Sequence, residues 1–89
     1  MGESATVGPV IAELSIVEID GCVSVFNPAT KRAVILNETA TMVWHLIDGI
    51  RDADEIVREL ASRYRVEPAQ IHADVAAAIA RLHDEKLLQ

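Results

Sequence analysis

Three histidines and one cysteine are the side chains best suited to catalysis or metal binding in this chain. His45, His72 and His83 are never three or four residues apart, so no two of them have the one-turn spacing at which helix residues bind one metal ion together. Cys22 has no partner for an intramolecular disulfide, and we expect it to act as a small hydrophobic side chain in a strand. The sequence therefore predicts no catalytic centre, no metal site and no cofactor.

Acidic residues and glycines show no catalytic or phosphate-binding pattern either. The fourteen acids are spread along the chain, and some precede an arginine by four residues, as Asp54 precedes Arg58 and Glu59 precedes Arg63. Such pairs support an exposed helix face. The four glycines are too far apart to form a phosphate-binding loop. We therefore expect a protein that is not an enzyme.

Length, composition and charge exclude several further kinds of function for this protein. The 89 residues make one domain with a modest core, and 51% of them are hydrophobic. The net charge of -6 opposes binding to a phosphate backbone, so we expect no nucleic-acid partner. No apolar run reaches membrane-spanning length, and the first eight residues lack the features of a signal peptide. These features predict no membrane association and a cytoplasmic location.

The stretch from Leu36 to Gly49 predicts the first helix. Asn37 is suited to cap it, and Gly49 is suited to end it in a left-handed turn. The apolar residues recur at i, i+3, i+4 and i+7, namely Ala40, Val43, Trp44 and Ile47. The only Trp of the chain is therefore predicted to lie in the core. His45 is predicted to lie on the polar side with Thr41 and Asp48.

Three short strands are predicted before this helix. Met1–Pro9 is expected to be a flexible tail. Val10–Ile19 is rich in β-branched residues, and Asp20-Gly21 is a typical hairpin turn leading to a return strand at Cys22–Phe26. Asn27–Lys31 has turn composition, and Arg32–Leu36 follows as the third strand. These spacings predict an antiparallel meander.

Two further helices are predicted after it. Asp52 and Glu55 have the spacing of a capping box for a helix that reaches Tyr64. Pro68 is suited to the first position of the next helix. The predicted core stripe of that helix comprises Ile71, Val75, Ala78, Ile79 and Leu82. The predicted fold is α+β, a three-stranded antiparallel sheet followed by three helices, winged-helix-like in the order of its elements.

The run Ala33-Val34-Ile35-Leu36 is apolar throughout, although a strand with one covered face should alternate apolar and polar residues. In a meander it also lies at the edge, with unpaired backbone groups. Helices on both faces would explain this run, and so would a homodimer that pairs the edges. An edge kept open for a peptide strand would explain it as well.

The order and spacing of several motifs resemble the PqqD family. The matching residues are Leu36-Asn37-Glu38-Thr39-Ala40, then Val43-Trp44, Leu46 and Asp48-Gly49, and later Ile56-Val57, Leu60, Asp74-Val75, Leu82 and Leu87-Leu88. The resemblance covers residues 10–88. Lys86 departs from it, since many members have glycine before the terminal leucine pair. The resemblance implies that residues 10–89 form a RiPP recognition element, which binds the leader region of a ribosomally made precursor peptide.

In that family the leader adds as a strand to the third strand and lies in the groove beside the third helix. The resemblance places these positions at Lys31, Arg32, Ala33, Val34, Ile35 and Leu36 of the strand. It places them at Ile71, Asp74, Val75 and Ala78 of the helix. Such a domain presents the leader to processing enzymes and catalyses nothing itself.

Trp44 and the run Leu46-Ile47-Asp48-Gly49 resemble the recognition proteins of lasso-peptide pathways. The partners implied are a leader peptidase and an ATP-dependent macrolactam synthetase. The alternative within the family is the peptide chaperone of pyrroloquinoline quinone synthesis, which serves a radical SAM enzyme. A winged-helix DNA-binding protein is the alternative from another class, and the acidic charge counts against it. Monomer and homodimer both remain open.

Overall fold

The computed structural model describes residues 6–88, in the element order β1 Ser15–Ile19, β2 Cys22–Asn27, β3 Arg32–Ile35, α1 Glu38–Leu46, α2 Ala53–Tyr64 and α3 Pro68–Asp84. The predicted three antiparallel strands followed by three helices are confirmed. Within the described residues, no helix combines the length and apolarity needed to cross a membrane. Residues 1–5 of the expected tail and Gln89 lie outside the described residues.

The sheet has the strand order β1-β2-β3, so β2 is central and β1 and β3 are edges. Asp20 and Gly21 both have positive φ, 54° and 81°, which is the backbone that a two-residue hairpin turn requires. At the other end of β2, Lys31 donates its N–H to the carbonyl of Asn27 at 2.7 Å. These two tight turns set the register in which Val25 lies opposite both Ile16 and Val34.

The helices pack against one face of β2 and β3 and bury a single apolar cluster. Trp44 lies in it with 7% of its surface exposed, as its place on the apolar stripe predicts. The fully enclosed side chains of the cluster are Leu36, Ile56, Leu60, Leu82, Leu87, Val23, Val25, Val43 and Val75. The core is therefore built from branched aliphatic side chains, in keeping with the 3% aromatic content.

Strand β3 alternates in burial although its side chains do not alternate in polarity. Val34 is 2% exposed, whereas Ile35 is 69% exposed on the opposite face of the sheet. The interpretation that helices cover both faces is therefore wrong for this strand. The outer face instead remains apolar and exposed, because Val17, Phe26 and Ile35 all lie on it.

The first strand is shorter than predicted. It begins at Ser15, since Ala12 and Glu13 form a turn, and Val10 forms a bridge with Leu88 instead of pairing with β2. β-branched composition indicates an extended backbone but does not select its partner.

Residues 6–9 also differ from the expected flexible tail. Val7 is 6% exposed, its N–H donates to the carbonyl of Arg51 at 2.9 Å, and its carbonyl accepts from the N–H of Gly49 at 3.2 Å.

Gly49 does not end the first helix, contrary to the prediction. α1 ends at Leu46, and its C-cap Ile47 is extended. Gly49 has a φ of +79°, and a side chain there would come within 3.1 Å of Pro9. A glycine is needed at this position because the backbone is left-handed and the segment around Pro9 packs closely against it.

The helix starts follow the predicted caps. Asn37 Oδ1 accepts from the N–H of Ala40 at 2.8 Å at the start of α1. Asp52 and Glu55 form the reciprocal capping box of α2, with distances of 2.8 and 2.9 Å.

Helix α3 ends in a left-handed turn at Lys86, whose φ is +61°. The N–H of Leu87 donates to the carbonyl of Leu82, and the N–H of Lys86 donates to the carbonyl of His83, both at 3.0 Å. This pair of hydrogen bonds is the Schellman arrangement, in which glycine is the usual residue at the left-handed position. The left-handed backbone at Lys86 explains why glycine is favoured at this position.

Candidate functional site

Strand β3 presents unpaired backbone groups along its outer edge. The N–H of Leu36 donates to the carbonyl of Val23 at 2.8 Å, and in an antiparallel ladder the residues bonded to the neighbouring strand alternate along the chain. Val34 therefore bonds toward β2, while the N–H and C=O groups of Ala33 and Ile35 point away from the sheet. This edge can accept another strand.

We refer to the space between the free edge of β3 and helix α3 as the cleft. In the described part of the chain, no Cα atom of β3 lies within 8 Å of a Cα atom of α3. The two elements run in opposite directions. Arg32 at the start of β3 lies beside Glu85, the residue that follows α3, whereas Asn37, which comes after β3, lines a depression together with Asp74 and Ala78, earlier on α3.

The first end of the cleft is closed by side-chain bonds. Arg32 donates from Nε and Nη2 to the two carboxylate oxygens of Glu85 at 3.0 and 3.3 Å. Beside this ion pair, the buried Asn27 donates from Nδ2 to the carbonyl of Lys86 at 3.0 Å. These bonds join the β2–β3 turn to the end of α3.

The start of α1 closes the second end. There, the middle of α3 and the first turn of α1 enclose an open depression, lined by Asn37, Thr39, Ala40, Asp74, Ala77, Ala78 and Arg81. A second depression adjoins it and shares Thr39 and Asp74. Its lining residues are Glu38, Thr39, Tyr64, Val66, Gln70, Ile71 and Asp74.

The predicted site residues fall into two groups. Arg32, Ala33 and Ile35 are exposed along β3 and Lys31 just before it, and Asp74 is exposed on α3. Ile71 and Ala78 are 7% and 8% exposed and line the depressions.

The side chains of Val34, Leu36 and Val75, in contrast, are at most 2% exposed and belong to the core. Among the predicted site residues, these three support the cleft from beneath, and their side chains do not form its surface.

The prediction that Thr41 lies on the polar side of α1 is wrong, since its side chain is 2% exposed. Its hydroxyl accepts from the N–H of Val23 at 3.0 Å and donates to the carbonyl of Leu36 at 3.4 Å. The hydroxyl therefore bridges two backbone groups where the β2–β3 ladder ends, and so fixes the start of α1 against the sheet. Thr41 lies three residues before the buried Trp44, and this spacing is the sequence signal that places it on the buried side of the helix.

Glu85 and Arg81 are cleft residues that the sequence did not indicate. Both lie on the stripe of α3 that contains Asp74 and Ala78, at steps of four, three and four residues. Glu85 pairs with Arg32, a contact across 53 residues that no local spacing reveals.

The pKa values of two carboxyl groups, Glu85 and Asp48, are shifted. The side-chain hydrogen bond from Arg32 is the main cause that lowers the pKa of Glu85, and the same bond raises the pKa of Arg32. Hydrogen bonds from the backbone N–H groups of Arg51 and Ile50 lower the pKa of Asp48. Arg32, Asp48 and Glu85 all lie at the surface, and their pKa shifts arise from these local contacts.

The histidines do not converge. His45, His72 and His83 are exposed on two different helices. Among residues 6–88, no three His, Cys, Asp or Glu side chains are grouped as a metal site would require.

The chain is similar to one known family and to several curated proteins. Residues 22–88 match the family described as coenzyme PQQ synthesis protein D (PqqD). PqqA binding proteins from Xanthomonas euvesicatoria pv. vesicatoria (strain 85-10) and Xanthomonas axonopodis pv. citri (strain 306) are each 38% identical over 61 residues, 68% of this chain and 66% of theirs. The chain thus spans just under two thirds of the length of these relatives.

Solved structures share the fold. TbiB1 in complex with the TbiA(beta) leader peptide has a TM-score of 0.76 at 20% identity, covering 90% of this chain and 93% of that one. Lasso peptide synthetase B1 complexed with its leader peptide has a TM-score of 0.77 at 19% identity, covering 94% and 99%. The PqqD truncation of Methylobacterium extorquens PqqCD, a stand-alone RiPP recognition element, has a TM-score of 0.72 at 23% identity, covering 90% and 85%.

Proposed function

The chain belongs to the PqqD family, and from this premise we propose that it is a RiPP recognition element that binds the leader region of a precursor peptide. The leader adds as an antiparallel strand to the free edge of β3 and lies in the cleft beside α3. Its backbone pairs with β3, and its side chains on the helix side enter the depressions next to α1 and α3.

The observation that carries this proposal is the outward direction of the Ala33 and Ile35 backbone groups beside an open cleft. A strand that pairs with them continues the antiparallel sheet without moving β2. The Arg32–Glu85 pair joins β3 to the end of α3 at one end of the cleft. At the other end, Asn37 directly follows Leu36 and caps the start of α1. A cleft formed before binding reduces the entropy that the leader's association must overcome.

The names of the similar proteins agree with this proposal. The Xanthomonas relatives are PqqA binding proteins, and two of the structures with the same fold hold a leader peptide. We extend peptide binding to this chain because it has the same fold and a free edge at β3.

We further propose that the peptide belongs to a lasso pathway, with a leader peptidase and an ATP-dependent macrolactam synthetase as partners. The support is the Trp44 and Leu46–Gly49 motif together with the two lasso-type structural neighbours. The curated PqqA binding proteins favour the alternative, a chaperone that serves a radical SAM enzyme. The neighbouring genes discriminate the two: a peptidase and an asparagine-synthetase-like ligase indicate a lasso pathway, and a radical SAM enzyme indicates the other.

In this proposal the protein presents the leader and catalyses nothing alone. Purified protein incubated with the precursor peptide encoded beside it should leave the mass of the peptide unchanged. Cleavage that persists through successive purification steps would contradict this part of the proposal.

An amide chemical-shift titration with the leader of that precursor tests the binding site. We expect the largest changes at residues 31–36 and 71–82, with Ala33 and Ile35 shifting more than Val34, because their N–H groups gain the new hydrogen bonds. Changes that cluster on α2 would place the peptide elsewhere and refute the site.

A further inference from the structure

The cleft carries opposite charges at defined places along α3. Asp74 and Arg81 both line the depression next to α1, and both side chains are exposed. They are seven residues apart, so their Cα atoms lie about 10.5 Å apart along the helix axis at 1.5 Å per residue. Within the described residues, neither takes part in a direct ion pair. The charge of Arg81 is near enough to Glu85 to contribute to lowering the pKa of that carboxyl.

The acidic end of the cleft also offers apolar contacts. Glu38 and Asp74 line the second depression together with Tyr64, Val66 and Ile71. Tyr64 and Val66 are 38% and 37% exposed. An apolar wall beside two carboxylates suits a lysine or arginine, whose aliphatic stem packs on the wall while the charged group meets the acids.

At the end of the cleft beside the Arg32–Glu85 pair, the charge is positive or neutral. Arg32 and Glu85 neutralise each other in their ion pair, which leaves Arg81 as the cation nearest the middle of the cleft. An acidic side chain on the peptide would be attracted to Arg81, and a basic one would be repelled.

The direction in which a bound peptide runs decides the order in which it meets these charges. β3 runs opposite to α3, so a strand antiparallel to β3 runs in the same direction as α3 and passes Asp74 before Arg81. Extended residues rise about 3.3 Å each, so two to four residues of such a strand cover about the same distance as the seven residues of helix.

Building on the proposed function, we propose that the cleft selects leaders by charge order. A lysine or arginine enters the depression at Glu38 and Asp74, and an aspartate or glutamate two to four residues later in the peptide lies beside Arg81. The charge order thus specifies the class of leader that the site accepts.

The test is selection of a displayed library of random twelve-residue peptides on the purified full chain. Two proteins are compared, the wild type and a charge-swapped variant with Asp74→Arg and Arg81→Asp. We expect wild-type binders to be enriched in a basic residue followed two to four positions later by an acidic one. The swapped variant should select the reverse order.

A matched control exchanges the charges of an ion pair on α2, Glu59→Arg with Arg63→Glu, and should select the same order as the wild type. The single variants Asp74→Asn and Arg81→Gln add no new charge. Each should lose enrichment at one peptide position only, which keeps the test valid if the double variant unfolds.

For the best wild-type binder, measured as a synthetic peptide, the swapped variant should bind about tenfold more weakly, or about 1.4 kcal/mol. This difference should shrink as salt is added. Binders that are lost with Ile35→Pro but show no charge order would overturn the inference and leave the proposed function intact. Binders that tolerate Ile35→Pro, or a selection without binders, would count against the proposed strand addition itself.

Discussion

The guanidinium of Arg32 donates two hydrogen bonds to the carboxylate of Glu85, at 3.0 Å to Oε1 and 3.3 Å to Oε2. This ion pair joins the first residue of β3 to the C-cap of α3. It holds the ends of two elements together while their middle parts remain apart. The relationship thus gives the cleft a fixed closed end.

The Arg32–Glu85 pair predicts a pH dependence of stability. The folded-state pKa of Glu85 lies below its ordinary value, mainly because of the hydrogen bond from Arg32. Its contribution is therefore complete above the unfolded-state pKa and is lost as the pH falls through the lowered folded-state pKa. The melting temperature of wild type should exceed that of Glu85→Gln near neutral pH, and the gap should close in acid. Glu18→Gln, at an exposed residue on β1, is the control that should show a smaller gap.

Trp44 fills the core between α1 and the rest of the domain, with 7% of its surface exposed. Trp44→Ala should cost about 3–5 kcal/mol of unfolding free energy, the range for large buried aromatics. This is a large part of the stability of a small domain. Denaturant unfolding measures it, and an unchanged midpoint would be incompatible with the packing of α1 described here.

The buried hydroxyl of Thr41 predicts a specific contrast between two variants. Thr41→Val keeps the shape but leaves the N–H of Val23 without its partner, which should cost about 1–3 kcal/mol. Thr41→Ser keeps the hydroxyl and should cost less. Urea unfolding of both proteins gives the comparison, and a serine variant less stable than the valine variant would rule out the hydrogen-bond explanation.

Lys86 holds a left-handed backbone at the end of α3, with a φ of +61°. Lys86→Gly should stabilise the protein by about 0.5–1 kcal/mol, because the relief of about 1–2 kcal/mol at this φ exceeds the entropy that glycine adds to the unfolded chain. Lys86→Ala retains the strain and serves as the control in thermal unfolding. Equal stability of the two variants would show that the backbone conformation is not the cause.

Two proline variants test strand addition at β3. Ile35→Pro removes an N–H that points away from the sheet, so the fold should persist while leader affinity falls about tenfold or more. Val34→Pro removes an N–H that bonds to β2 and should lower the melting temperature. Calorimetric titration with leader peptide together with thermal unfolding separates the two effects. Full leader affinity in a folded Ile35→Pro protein would exclude this edge.

The order of strands and helices, the residues that cap the helix starts and the burial of Trp44 follow from the amino-acid sequence alone. These features depend on contacts between residues close in the chain, such as Asn37 with Ala40 or Asp52 with Glu55. Periodicity also identified the apolar faces of the helices, since each face repeats every three or four residues.

Which polar groups meet across the fold depends on the tertiary packing. The Arg32–Glu85 pair, the Thr41 hydroxyl between β2 and β3, and the packing of Val7 against Gly49 join segments that are 53, 18 and 42 residues apart. The sequence also does not show which residues of β3 face the core. Val34 and Ile35 are both aliphatic, and only the structure shows that Val34 points into the core while Ile35 points to solvent. Local propensity does not encode such long-range relationships, which arise when burial of the common core brings distant segments together.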